Sequence, residues 1–366
     1  MTINPAQKLT VEDLDALALG AWILGTGGGG DPYHKLMNAK QLYLQGKSAS
    51  LIDPLSLADD ALVAVVSTMG APLIAQERIP DAYHAVRPVR AMEDYLGRSF
   101  DAVMSMEIGG GNGVHPVMVA ALTGYPVVDA DAMGRAYPEL QMTSFAVAEL
   151  SPYPFALSDI RENDLVISRA VDSHWVERIG RRVTTEIGST AAICMAPRTG
   201  AEVKRHGILH TSTQAIRLGE AVMAARRAHE DPVGAILDVG AGKCLFAGKV
   251  VDVDRRTTEG FLRGRARIEG LDGDVGKTFT VHFQNEFSVG YLGDDLIVMT
   301  PDLICVVDSV SGNGIGTEGI RYGQRVKVLA LPGREVFMSD RGLAVAGPRA
   351  FGFNLDFRSV FAGKGP

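Results

Sequence analysis

Between Leu14 and Trp22 the apolar residues Leu14, Leu17, Ala18, Ala21 and Trp22 return every three or four positions, the period of a helix buried along one side. Thr10 and Asp13 stand ahead of it at capping-box spacing, with Asp in place of the usual Glu. A glycine-dense run, Gly25 to Gly30, then breaks the pattern. Asp31-Pro32 supplies an N-cap and a first-turn proline for a second helix through Leu36, Ala39 and Leu42. The unbroken run Ala61 to Val66 is rich in β-branched residues and short, as in a strand buried on both faces. Ala102 to Met106 predicts a weaker strand, His115 to Leu122 a helix, and Pro126 to Asp129 a third strand. Strands alternating with helices predict an α/β domain over residues 1–165 with a parallel or mixed sheet. In such sheets ligands bind off the carboxyl ends of the strands. Thr68, Glu107, Asp129 and Asp131 all fall there.

Past residue 165 the pattern shortens. Strand-like pieces near 165–171, 190–195 and 202–208 precede one good helix, from about Thr213 to Arg227. Residues 235–350 read almost wholly as short strands divided by Gly, Asp and Pro, among them Gly248 to Val253, Phe279 to Phe283 and Arg325 to Leu329. A second, β-rich domain over residues 166–366, barrel or sandwich, is the expectation. There is no internal repeat.

Composition narrows the function classes. A chain of 366 residues, 46% hydrophobic and 22% charged, suits a soluble globular protein with two cores. A net charge of -7 argues against nucleic acid as a partner. The basic residues Arg263, Arg265 and Arg267 alternate, as on a solvated strand face. No apolar run approaches the ~18 residues of a membrane span, so no membrane partner is expected. Acids at Glu12, Asp13 and Asp15 argue against an ordinary signal peptide. Cys194, Cys244 and Cys305 are far apart in apolar surroundings, which reads as buried free thiols in a cytoplasmic protein.

The candidate chemistry gathers at two loops, Gly25 to Gly30 and Glu107-Ile108-Gly109-Gly110-Gly111-Asn112-Gly113. Bare amides at Gly27, Gly28, Gly29, Gly30, Gly110 and Gly111 suit a small ligand, anions above all. Glu107 would either steer a substrate N–H, with Asn112 donating to the same ligand, or serve as the charge that caps the following helix, and Thr68 stands at another strand end. Asp129 and Asp131 share a side if the strand continues, and then either share a proton and activate water or cap the turn and pair with Arg135. Glu139, Asn285 and Glu286 are polar groups next to apolar strands that complete a pocket or merely turn the chain. No nucleophile elbow or zinc motif occurs, which leaves an activated water as nucleophile. The cofactor is open: a divalent metal is compatible with acids gathered by folding, and without a phosphate-loop motif no nucleotide is expected.

These blocks carry a resemblance. Gly25 to Tyr33, Glu107 to Gly110, Val128 to Asp131, Gly134 to Met142, Phe283 to Glu286 and Gly347 to Gly352 together resemble the former domain-of-unknown-function 917 family, now named after S-methyl thiohydantoin desulfurase. The likeness covers about residues 10–353. It implies a hydrolase acting on a small hydantoin-like ring: water adds to the carbon bearing the S-methyl group, methanethiol leaves and a hydantoin remains. On this reading Asp129, Asp131 or Glu107 activates water, and Arg135 pairs with a substrate carboxylate. The resemblance also implies a hydantoinase- or oxoprolinase-like partner protein, with a non-catalytic accessory subunit of such a complex as the alternative. The oligomeric state is open, a homo-oligomer included.

Overall fold

The computed structural model describes residues 6–70, 74, 81–258 and 260–362. Among these, a mixed sheet runs in the order Gln7–Lys8, Ser50–Ile52, Val127–Val128, Ala102–Ser105, Leu62–Gly70, Thr190–Cys194, Phe155–Ser158, Asp164–Ile167, with Arg198–Thr199 added beside Leu62–Gly70. The four strands from Ser50–Ile52 to Leu62–Gly70 are parallel and the flanking ones antiparallel. Leu62–Gly70 is covered on both faces, as its unbroken apolar run predicts. Ala64 and Val66 share a core with the helices Val11–Leu24 and His115–Thr123, while Val63 and Val65 pack with Met104, Phe145 and Phe155.

Local signals set the helix starts. Thr10 and Asp13 close the expected capping box, with Asp13 N donating to Thr10 Oγ1 at 3.1 Å and Thr10 N to Asp13 Oδ2 at 2.7 Å. Asp31 Oδ1 accepts from Tyr33 N at the start of Tyr33–Leu44. The strand-like stretch near 202–208 is instead the helix Gly200–His206, with only Ile208–Leu209 extended. Thr199 and Glu202 form a second capping box there, and that start signal outweighs the β-like composition.

Seven antiparallel strands form the second sheet in the order Asp295–Met299, Glu286–Leu292, Thr278–Gln284, Phe261–Gly270, Lys243–Thr258, Arg325–Leu331, Leu303–Asp308. It curls into a half-barrel. Phe246, Phe279, Val281 and Val328 share the core within it, and Leu303, Cys305, Val307 and Leu329 turn the other way to join the core of the helix Val11–Leu24. Arg263, Arg265 and Arg267 are exposed, as their alternation predicts. Cys194 and Cys305 are buried thiols, but Cys244 is exposed. A register shift between Cys244 and Phe246 turns the two residues to different environments despite their even spacing. No helix among the described residues is long and apolar enough to cross a membrane.

Candidate active site

A cavity opens where the parallel strands Leu62–Gly70 and Ala102–Ser105 end, and the turn Gln284-Asn285-Glu286 of the second sheet contributes to its wall. Lys35, in the first turn of Tyr33–Leu44, donates from Nζ to Thr68 Oγ1 at 2.8 Å and to Asn112 Oδ1 at 2.6 Å. Asn112 Nδ2 in turn donates to Glu107 Oε1 at 2.5 Å, and Tyr137 N donates to Glu107 Oε2 at 3.1 Å. The Asn112 amide therefore bridges a cation and a carboxylate, each meeting the end that suits its charge. His115 Nδ1 lies 3.4 Å from Thr68 Oγ1, and its buried Nε2 has no partner among the described residues.

Burial dominates the electrostatics. It pushes Glu107 up to about 7, against the opposing pull of Asn112, Tyr137 N and Lys35. Loss of water around the ammonium pushes Lys35 down to about 7, with Glu107 opposing. His115 is held well below its ordinary value by burial and by Lys35, so its ring is neutral. Near neutral pH the site therefore holds one acid and one amine that both exchange protons readily.

A stability profile follows from the sign of the Glu107 shift. Its folded pKa lies above the ordinary value of 4.5, so the native state binds the extra proton and stability falls as pH rises from about 4.5 to about 7. The full effect is on the order of 3 kcal/mol. Glu318, buried and also raised to about 7, acts in the same direction. Thermal melts between pH 5 and pH 7 should show this decline, and Glu107→Gln should make it shallower, the remainder coming from Glu318. An unchanged slope in the variant would mean that Glu107 ionises as it does in water.

Of the residues named from sequence, Glu107, Asn112, Thr68, Gly29, Gly30, Glu139, Asn285 and Glu286 line the cavity. Glu139 accepts from Gln141 Nε2 at 2.5 Å and from Gln284 Nε2 at 3.4 Å. Gly27, Gly28, Gly110 and Gly111 are not among the lining residues. The glycines bring the two loops together: a Cβ on Gly29 would stand 2.2 Å from Gly109 O, and Gly111 N donates to Gly30 O at 2.8 Å.

Asp129, Asp131 and Arg135 also stand off the cavity, and the shared side drawn for the two acids is not realised. Asp129 caps the helix Thr211–Ala228, accepting from Thr213 N at 3.0 Å and Thr213 Oγ1 at 2.5 Å. Asp131 Oδ2 takes the amides of Ile108 at 2.7 Å, Gly134 at 2.7 Å and Met133 at 3.3 Å, so it ties the Glu107 loop to the next turn. Arg135 is fully buried and spent on Thr26 Oγ1 at 2.6 Å and the carbonyls of Ala136, Phe287 and Asp302. Each of these groups sits where unpaired backbone polar atoms would otherwise be buried.

Sequence reasoning missed Lys35, His34, His84, His115 and the Glu177–Arg181 ion pair, all of which line the cavity. One sign was readable. A lysine in the first turn of a helix opposes the helix dipole, so its position there calls for a reason beyond helix stability. Among the described residues, no three His, Cys, Asp or Glu side chains are grouped to hold a metal ion.

Two family models match, S-Me-THD-like N-terminal domain over residues 12–169 and S-Me-THD-like C-terminal domain over residues 171–360. The chain belongs to the S-Me-THD-like family. Membership links it to thiohydantoin-related metabolism and to a desulfurase-like enzyme. A search of curated proteins finds no match. The crystal structure of a protein from Chromobacterium violaceum, 23% identical, has a TM-score of 0.78 over 97% of this chain and 100% of that one. It shares the S-Me-THD-like chain's fold.

Proposed function

We propose that this protein hydrolyses a hydantoin-like five-membered ring, with S-methyl thiohydantoin as the substrate class. The observation that carries the reading is the Lys35–Asn112–Glu107 chain at the cavity wall. Glu107, with its raised pKa, takes a proton from water as the oxygen attacks the ring carbon bearing the S-methyl group. Asn112, held by Lys35, fixes the direction of the carboxylate. Met106, Met118, Leu140 and Ile193 offer apolar surface to the ring and its S-methyl group. Collapse of the tetrahedral intermediate releases methanethiol and leaves a hydantoin.

The test is thiol release from a series of S-methyl thiohydantoins, run beside ring-opening assays on hydantoins. Thiol matched mole for mole by hydantoin supports the reading. A folded protein inert toward every ring would overturn it in favour of an accessory subunit of a hydantoinase- or oxoprolinase-type complex.

Lys35→Met probes the positioning chain separately. Lys35 lowers the Glu107 pKa, so its removal should carry the acidic limb of kcat/KM to higher pH and reduce the rate at pH 7 by about tenfold. A uniform loss with the pH profile unmoved would mean that Lys35 serves only to shape the cavity.

A further inference from the structure

We infer that Glu286 is a second catalytic group of this cavity, a general acid that protonates the ring nitrogen while Glu107 deprotonates water. The inference rests on the hydrolase reading above and assigns the other half of its proton traffic.

Several observations point at Glu286. It lines the cavity from the second sheet, whereas Glu107 reaches it from the first. It is 3% exposed, and its Oε2 has no partner among the described residues. A buried carboxyl left unpaired costs free energy unless a ligand completes it. The surrounding backbone is shaped to keep it there. Gly28 leaves the needed room, because a Cβ at that position would stand 1.9 Å from Glu286 Oε1.

The preceding residue, Asn285, holds a left-handed backbone at φ 57°. Three bonds fix it: Asn285 N to Leu262 O at 2.7 Å, Leu262 N to Asn285 Oδ1 at 2.8 Å and Thr317 Oγ1 to Asn285 O at 2.5 Å. The turn so fixed sets the direction in which Glu286, the next residue, enters the cavity.

The charges around Glu286 favour its acid form. Burial and Glu107 hold its pKa well above the ordinary carboxylate value, against Arg135 and Arg181. Lys35, Glu139, Glu177, Asp31 and Asp81 also line the cavity, with the phenol of Tyr137 and the imidazoles of His34, His84 and His115. Two carboxyl groups that reach one cavity from different sheets, both raised by burial, can divide into a base and an acid.

Water adds its oxygen to the ring carbon and gives one proton to Glu107. The C=N electron pair moves to nitrogen, which takes the Glu286 proton. On collapse the new hydroxyl returns its proton to Glu286 and forms the carbonyl. The carbon–sulfur bond breaks, and the thiolate takes the proton from Glu107. Both carboxyl groups end as they began, and the net reaction is ring plus water to hydantoin plus methanethiol.

Glu286→Gln keeps the shape and hydrogen-bonding capacity but cannot deliver a proton. It should lower kcat for thiol release by about 100- to 10,000-fold, keep KM within about threefold, and abolish the basic limb of the pH profile while retaining the acidic limb. Its melting temperature should match or exceed that of the wild type. A variant that keeps both kcat and the basic limb overturns the acid role and leaves the hydrolase reading standing. A raised KM with unchanged kcat overturns it too, reducing Glu286 to a binding group. A wild-type protein inert on every ring overturns the hydrolase reading and the acid role together.

Discussion

Glu107→Gln should reduce thiol release by about 100- to 10,000-fold in kcat, the span a positioned general base contributes. A strand ends at Ser105, and the next two residues carry Glu107 to the cavity wall with 4% of its surface exposed. Both carboxylate oxygens are engaged, one by Asn112 Nδ2 and the other by Tyr137 N. The group is thus aimed as well as desolvated, and its pKa of about 7 suits proton transfer near neutrality.

Gln is nearly the same size and has no proton-accepting oxygen pair. It must also present an N–H to either Asn112 Nδ2 or the Tyr137 amide, both donors. One of these clashes persists unless Asn112 turns over, and that would in turn set its amide group against Lys35. The cost of one unmet donor is about 1–3 kcal/mol, partly offset above pH 7 because no buried charge remains. The variant should therefore stay folded by circular dichroism while losing turnover. Glu107→Asp, with its carboxylate pulled back by one methylene, should recover part of the rate. Full activity in Glu107→Gln would remove the base from the proposed reaction.

The path from sequence to site explains which parts were legible. Period and caps act locally, so the helices Val11–Leu24 and His115–Thr123, the doubly buried strand Leu62–Gly70 and the alternating arginines of Phe261–Gly270 could be read directly. Glu107 and Asn112 were readable too, because a polar group after a buried strand and among glycines has few structural duties. The acids near Val128 show the opposite case. Asp129 and Asp131 sit two residues apart, but the chain leaves one strand pairing at Val128 and enters another at Ala130, so each acid meets different amides. Those amides, at Thr213 and Ile108, come from distant parts of the chain, and no spacing rule reports them. Arg135 was misread for the same reason: its partners Thr26, Phe287 and Asp302 converge only in the fold. Lys35 and His115 join the site through Thr68, 33 and 47 residues away in sequence. Of the six glycines named from the loops only Gly29 and Gly30 line the cavity, and the close approach of Gly29 to Gly109 depends on two segments meeting, which composition alone does not encode.

Gly219→Val should cause a comparably large loss, this time in stability. The helices Val11–Leu24 and Thr211–Ala228 cross with backbone against backbone: a Cβ on Gly219 would lie 1.9 Å from Ala16 O, and one on Gly20 would lie 1.8 Å from Ala215 O. No rotamer relieves such a contact, because the obstacle is main chain. The helices must separate by more than an ångström, opening a core that holds Leu17, Ala21, Leu218 and Val222. Overpacking of this kind costs about 3 kcal/mol or more once lost core contacts are added. A fall in Tm of roughly 5 °C or more is expected.

Glu220→Val, one position along on the exposed face, is the control. There Val costs about 0.5 kcal/mol of helix propensity, whereas at Gly219 it gains a few tenths, so a larger loss at Gly219 comes from the clash alone. If the two variants melt together, the crossing is looser than its geometry states. Activity per folded molecule should separate them as well, since Val11–Leu24 leads directly into Gly25 and the loop that meets Glu286. A shift of about 1 Å there is enough to cost about 100-fold in rate. The same small residues that let two helices touch thus hold the carboxyl groups of the cavity in register.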